Sequence, residues 1–170
     1  MYFVYPSRSF LVVEQHPSPA FALARSVYEG YVRGQWLLHC ASDEQVERFL
    51  DGEEFREDAS KKKLTLPDLI NALEATPVFP PGSLADIRDK AWIALCDYAH
   101  VGGRMVSHWC KPGSVEIDFP AKDVEDVLRL TGVTAVLAAL GMLELAHGDS
   151  DNQLAEGMLA QVREFAPLKK

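Results

Sequence analysis

The sequence has little cysteine, and what it has forms no motif. Cys40, Cys96 and Cys110 are an odd number with no C-x-x-C pair among them. That argues against a disulfide framework and suits a reducing compartment. Positive charge is also scarce: 17 Lys and Arg stand against 25 Asp and Glu, for a formal net charge of −8. Broad, unspecific nucleic-acid binding needs clustered Lys and Arg, so the charge speaks against it, although a local basic cleft stays open. The one basic run, Lys61-Lys62-Lys63, lies next to the acidic stretch Asp51 to Asp58 and reads as a solvated loop. The longest apolar run, Leu130 to Leu143, is too short to span a bilayer, and Glu144 follows it. The N-terminal MYFVYPSRSF lacks the basic start, apolar core and cleavage site of a secretory signal. Repeats, low-complexity tracts and interdomain linkers are missing as well. These absences lead to the expectation of a soluble, cytoplasmic chain forming one domain over residues 1–170, with no membrane contact.

What is present is helical patterning. Hydrophobic residues make up 48% and charged residues 25% of the 170, enough for a real core. Ser18 to Cys40 reads as one helix of about six turns, with Ser18 as its cap and Pro19 in its first position. Its apolar residues run all round: Phe21, Leu23, Val27, Tyr31, Val32, Trp36, Leu37 and Leu38. A helix of that kind is central and buried. Ser42-Asp43-Glu44-Gln45 is a capping box that opens a second helix, with Val46, Phe49 and Leu50 as its apolar edge. DGEEFRED continues as a loop to Lys63. Thr65 or Leu66 precedes a third helix, with Pro67 in its first turn, Leu69, Ile70 and Leu73 facing inward, and Pro77 past its end. Val78 to Gly82 is a turn.

Ser83 is expected to cap a long helix from Leu84 to about Trp109, weakened at Gly102-Gly103. Residues 110–119 are not helical, with a short extended piece at Val115 to Phe119. Pro120 opens a third long helix, Ala121 to about Ala146, whose Gly- and Ala-rich second half suits a buried helix or a dimer seam. A last amphipathic helix covers Asn152 to Phe165, and a short one at Ser7 to His16 is possible. The sum is an all-α bundle of about six or seven helices.

The candidate site is the charge on the central helix. Arg25, Glu29 and Arg33 lie at i, i+4 and i+8, on one stripe. Charges on a buried helix must pair or face a cleft. Two readings stand: a structural ion network with Glu29 bracketed by two arginines, or an anion cleft in which two guanidiniums clamp a phosphate or carboxylate. His100 shares a stripe with Trp92, Cys96, Ala99 and Gly103, beside Asp97 and Tyr98. It reads as a core histidine or as an acid/base that could join the stripe through Glu29. Arg104 completes the polar set. Cys96 and His100 at i, i+4 could share zinc with His39-Cys40 or His108-Cys110, but the spacings match no finger pattern. Neither a G-x-S-x-G elbow nor a Gly-rich phosphate loop is present. No metal and no cofactor are expected.

Two segments carry a resemblance. ARSVYEGYVRGQWLLHCASDEQVERF (Ala24 to Phe49) and AWIALCDYAHVGGRMVSHW (Ala91 to Trp109) resemble a family of uncharacterised bacterial all-helical proteins. An R-x-x-x-E-x-Y-V-R-G-x-W helix is met by Arg25, Glu29, Tyr31, Val32, Arg33, Gly34 and Trp36. An aromatic-x-H-x-G helix is met by Tyr98, His100 and Gly102. Relatives have longer first helices, which implies a short N-terminus here. More distantly the pattern resembles the HEPN superfamily, which includes abortive-infection and toxin ribonucleases that dimerise and use R-x(4–6)-H. Arg33 to His39 is R-x5-H, with Gly34 directly after the arginine where a polar residue is usual. On a straight helix the two point about 120° apart.

The resemblance implies a HEPN-like, non-enzymatic interaction or regulatory protein linked to phage or mobile-element defence. It would be a homodimer through helix 121–146 and open to a protein partner. The alternative is a HEPN-type ribonuclease acting on RNA, with Arg33 stabilising phosphate charge and His39 or His100 moving a proton. A third reading is a binder of a small anion held by Arg25 and Arg33 beside Trp36.

Overall fold

The computed structural model describes residues 17–147 apart from 59, 112 and 116, together with 157 and 160. Six helices stand among them: α1 Pro17–His39, α2 Asp43–Leu50, α3 Leu66–Glu74, α4 Ser83–Ala99, α5 Gly103–Ser107 and α6 Ala121–His147. The class is all-α, as the patterning predicts. One antiparallel ribbon, β1 Cys110–Lys111 and β2 Ser114–Val115, pairs Cys110 with Val115 and Lys111 with Ser114. Two residues a side make a turn with a ladder rather than a sheet. The helices expected at Ser7 to His16 and Asn152 to Phe165 lie outside the described residues.

The chain divides into two compact units, Met1–Tyr28 with Ala91–Lys170, and Glu29–Lys90. Their boundaries fall inside α1 and α4. The unit Glu29–Lys90 is built from short, well-capped helices. Ser42 and Gln45 form the predicted capping box at the start of α2. At α3, Thr65 is the N-cap, and Asp68 Oδ2 accepts from the Thr65 backbone N–H at 2.8 Å and from its hydroxyl at 2.6 Å. These bonds hold the Asp68 carboxyl below its usual range. Leu69, Ile70 and Leu73 are buried as predicted, with Val32 and Trp36.

Two capping expectations fail. Ser83 does not cap α4: it is the first helical residue, and its hydroxyl is buried with no hydrogen-bond partner. Glu74, at the end of α3, takes that role. Its carboxylate accepts from the backbone N–H groups of Gly82 at 3.0 Å, Leu84 at 2.7 Å and Ala85 at 2.8 Å. A carboxylate at a helix N-terminus meets both the orphan donors and the positive end of the dipole. Ser18 does not cap α1 either. It lies within the first turn, and its hydroxyl accepts from the Trp109 indole N–H at 2.9 Å.

The helix expected from Leu84 to about Trp109 stops ten residues early, at Ala99. The Gly102 N–H bonds the Asp97 carbonyl at 2.6 Å, and Val101 adopts φ +55°. This is the six-to-one closure of a Schellman motif, in which the left-handed position is normally glycine. Here a β-branched valine holds it. Gly102 sits one residue later, so close to Asp97 that a Cβ would lie 2.1 Å from Oδ1. The glycine pair therefore serves close approach and a restart, and α5 begins at Gly103.

Candidate functional site

In the unit that joins Met1–Tyr28 to Ala91–Lys170, the first half of α1 meets α4 through aromatic rings. Phe21 is fully buried, edge-on to Tyr98 at 4.7 Å and tilted on Phe119 at 4.5 Å. Four residues further on, about one helical turn, Arg25 lies 4.9 Å over the Trp92 ring and donates to His100 Nε2. Arginine carries no acceptor, so His100 Nε2 is the accepting atom of this bond. The sequence-predicted Arg25 and His100 are thus brought together, with Trp92 as a stacking face. Asp97 and Arg104 also pair, at 3.8 Å, across the α4–α5 break.

The other predicted residues go elsewhere. Glu29 and Arg33 pair at 3.7 Å, with the Arg33 side chain 52% exposed. Arg33 also lies 5.7 Å over Phe55, and the buried Trp36 meets that same ring edge-on at 5.4 Å. His39 packs on Phe79 at 6.0 Å. Arg33 and His39 share no hydrogen bond, ion pair or ring contact, so R-x5-H is not assembled within one chain. The zinc alternative fares no better: among the described residues no group of three or more His, Cys, Asp or Glu is placed to share a metal. Cys40, Cys96 and Cys110 are all free thiols, and burial pushes the Cys40 pKa up.

One polar cluster was missed. His108 Nδ1 donates to the Asp118 carbonyl at 3.1 Å, which leaves Nε2 facing the Tyr98 hydroxyl at 3.4 Å and Asp123 Oδ2 at 3.7 Å. The ring stacks between Phe119 at 4.5 Å and Tyr98 at 6.1 Å. Burial, then the nearby Asp123 charge, raises the Tyr98 pKa. This arrangement pins the hairpin after α5 to the start of α6, and both ring nitrogens are engaged in doing so. In sequence, His108, Asp118 and Asp123 are merely scattered polar residues. Only the fold brings them together.

A shallow hollow of about 200 Å³ is lined by Trp36, Gln45, Arg48, Phe49, Glu54, Phe55 and Arg56. Arg25 and Arg33 do not line it.

Residues 6–167 match the profile of DUF6988, a family of unknown function. The chain belongs to DUF6988. No curated protein and no solved structure matches it. Family membership brings no activity with it.

In this DUF6988 chain exposed apolar side chains lie both on helices and outside them, where Val115 in β2 is 83% and Ile117 62% exposed. Phe49 and Leu50 on α2 are 41% and 77% exposed, and Leu128, Met142 and Leu145 on α6 are exposed as well. The unbroken apolar run Leu130 to Leu143 understates α6. Ala121–Leu143 is long and apolar enough to cross a membrane by length and composition, and 22% of its most apolar window is buried.

Proposed function

We propose that this DUF6988 chain is a non-enzymatic binding protein that pairs with a second copy through α6. The observation that carries this reading is the pattern on that helix. Leu128, Gly132, Ala135, Ala139 and Met142 follow alternating steps of four and three. On a helix that places them within about 40° of one line. The buried residues Val127, Thr131, Thr134 and Ala138 form a parallel row, about 90° away around the axis. Leu128 and Met142 in the first row are exposed, and Gly132, Ala135 and Ala139 are half-buried; that row has the spacing of a coiled-coil seam, and its small residues permit close backbone approach. The engagement of Arg33 with Glu29 and Phe55, and of His39 with Phe79, supports a binding role over R-x5-H catalysis. The three free thiols support a reducing, cytoplasmic setting.

Sedimentation of the purified protein tests the pairing. The parent is expected at twice the chain mass, and Ala135→Glu with Ala139→Glu at the monomer mass with unchanged helicity. A parent that sediments as a monomer, or that floats with lipid vesicles, overturns self-association as the role of α6. The ribonuclease reading is checked separately, with metal-free cleavage of mixed cellular RNA by the parent, Arg33→Ala and His39→Ala. Cleavage by the parent that both variants lose would replace the binding role.

A further inference from the structure

The unit Glu29–Lys90 carries a second unpartnered apolar feature, and its charges say what fits it. None of the eight residues of α2 is buried. Phe49, 41% exposed, stacks on the Phe55 ring at 5.1 Å, while Leu50 points out at 77% exposure. Asp43, Glu47 and Leu50, at i, i+4 and i+7, share one stripe, and Asp51 and Glu53 follow directly.

Every cation near this ridge is already occupied. Arg48 pairs with Asp58 and Glu44, Arg56 with Glu54, Lys61 with Glu44, Lys62 with Asp68 and Lys63 with Glu54. The Lys61–Lys63 run that looks basic in sequence is paired with Glu44 on α2, Asp68 on α3 and Glu54 in the loop. Four exposed carboxylates, Asp43, Glu47, Asp51 and Glu53, make no ion pair among the described residues. What the surface presents is a leucine ringed by uncompensated negative charge. Phe49 and Leu50, exposed side by side, give α2 an uncovered apolar edge, and the sign of the surrounding charge selects the partner.

We propose that the ridge Asp43–Glu53, with Leu50 at its apex, docks a basic amphipathic helix of another protein, whose apolar face covers Leu50 and whose Lys and Arg face the four carboxylates. This rests on the reading of the chain as a binding protein but not on pairing through α6. Nucleic acid and anionic lipid are repelled by the same charges.

The test is fluorescence anisotropy at physiological salt with a labelled designed peptide that carries leucine on one helical face and lysine on the other. Leu50→Asp is expected to weaken binding about tenfold or more, the scale of one apolar side chain left in water. Glu47→Lys with Asp51→Lys is expected to do the same and to flatten the salt dependence. A control peptide with serine in place of leucine reads the purely electrostatic part. Absence of parent binding, equal binding of the serine peptide, or full binding by Leu50→Asp overturns the proposal. Sedimentation of Leu50→Asp keeps the two readings apart, since it should match the parent whether or not α6 pairs.

Discussion

The two units hold themselves together in different ways. In Glu29–Lys90 the helix ends are fixed by local contacts, beside longer-range ring contacts such as Trp36 on Phe55. Ser42 caps its helix with Gln45 three residues on, Thr65 pairs with Asp68, and Glu74 reaches eight to eleven residues ahead to the start of α4. In the unit of Met1–Tyr28 and Ala91–Lys170 the contacts join residues far apart in sequence. Phe21 meets Tyr98 and Phe119, Ser18 meets Trp109, and Arg25 meets His100. Local contacts leave a signature in the order of residues, and distant contacts do not. They also fail differently, because a lost cap frays one helix while a lost ring opens a core.

The strongest way to break the comparison is Phe21→Ala. Removing a fully buried ring from between Tyr98 and Phe119 is expected to cost about 3–5 kcal/mol. Amide exchange should show the loss across residues 91–147 first. Equal loss of protection in α3 would mean that the two units do not unfold separately.

Alkaline pH probes the other unit. Burial pushes the Tyr31 phenol up to about 12 from its usual 10.0. The unfolded chain ionises this group first, so the stability it supports is intact below pH 10 and lost as pH rises towards 12. The full loss is about 2–3 kcal/mol. Denaturant midpoints of the parent should fall relative to Tyr31→Phe over that window, because the variant has nothing to titrate there. Parallel curves would show that Tyr31 does not contribute.

Glu74→Ala is expected to cost about 2 kcal/mol, because three backbone donors at the start of α4 lose an ionised acceptor. Burial works against the ionised carboxylate, but the bonds from Ala85, Gly82 and Leu84 and the Arg88 charge outweigh it, and its pKa lies below the usual value. Its stabilisation is therefore present above about pH 4.5 and disappears as pH falls through the lowered value. Melting curves from pH 3 to pH 7 check this, and in the variant that part of the acid sensitivity should vanish.

Val101→Gly should act in the opposite direction, raising stability by about 1 kcal/mol by relieving a β-branched residue at φ +55°. Arg33→Ala is the smallest effect, under ~1 kcal/mol, because its pair with Glu29 is long and mostly solvated. A large destabilisation there would restore the arginine stripe as a structural network.

Much of the fold was legible. The capping box at Ser42, the cap at Thr65, the inward row of α3 and the start of α6 all follow from signals spanning a few residues, and all are present. The end of α4 was harder. Gly102-Gly103 marked the weak point, but the helix ends before the glycines, with a valine in the left-handed position. The site was the least legible part. Arg25, Glu29 and Arg33 share a stripe, yet Arg25 meets a histidine and a tryptophan from α4 while Arg33 turns to Phe55.

The sequence by itself determined that this is an acidic, all-helical chain, where most of its helices begin, and that it belongs to a family of unknown function. Those properties depend on composition, on short-range capping and on overall pattern. The tertiary structure alone decided which polar residues meet, that His108 rather than His39 lies at the hub of a hydrogen-bonded cluster, and that the Lys61–Lys63 run is neutralised while Leu50 stands exposed among carboxylates. Pairing between distant residues depends on how helices pack, and residue order along one strand of chain does not encode that distance.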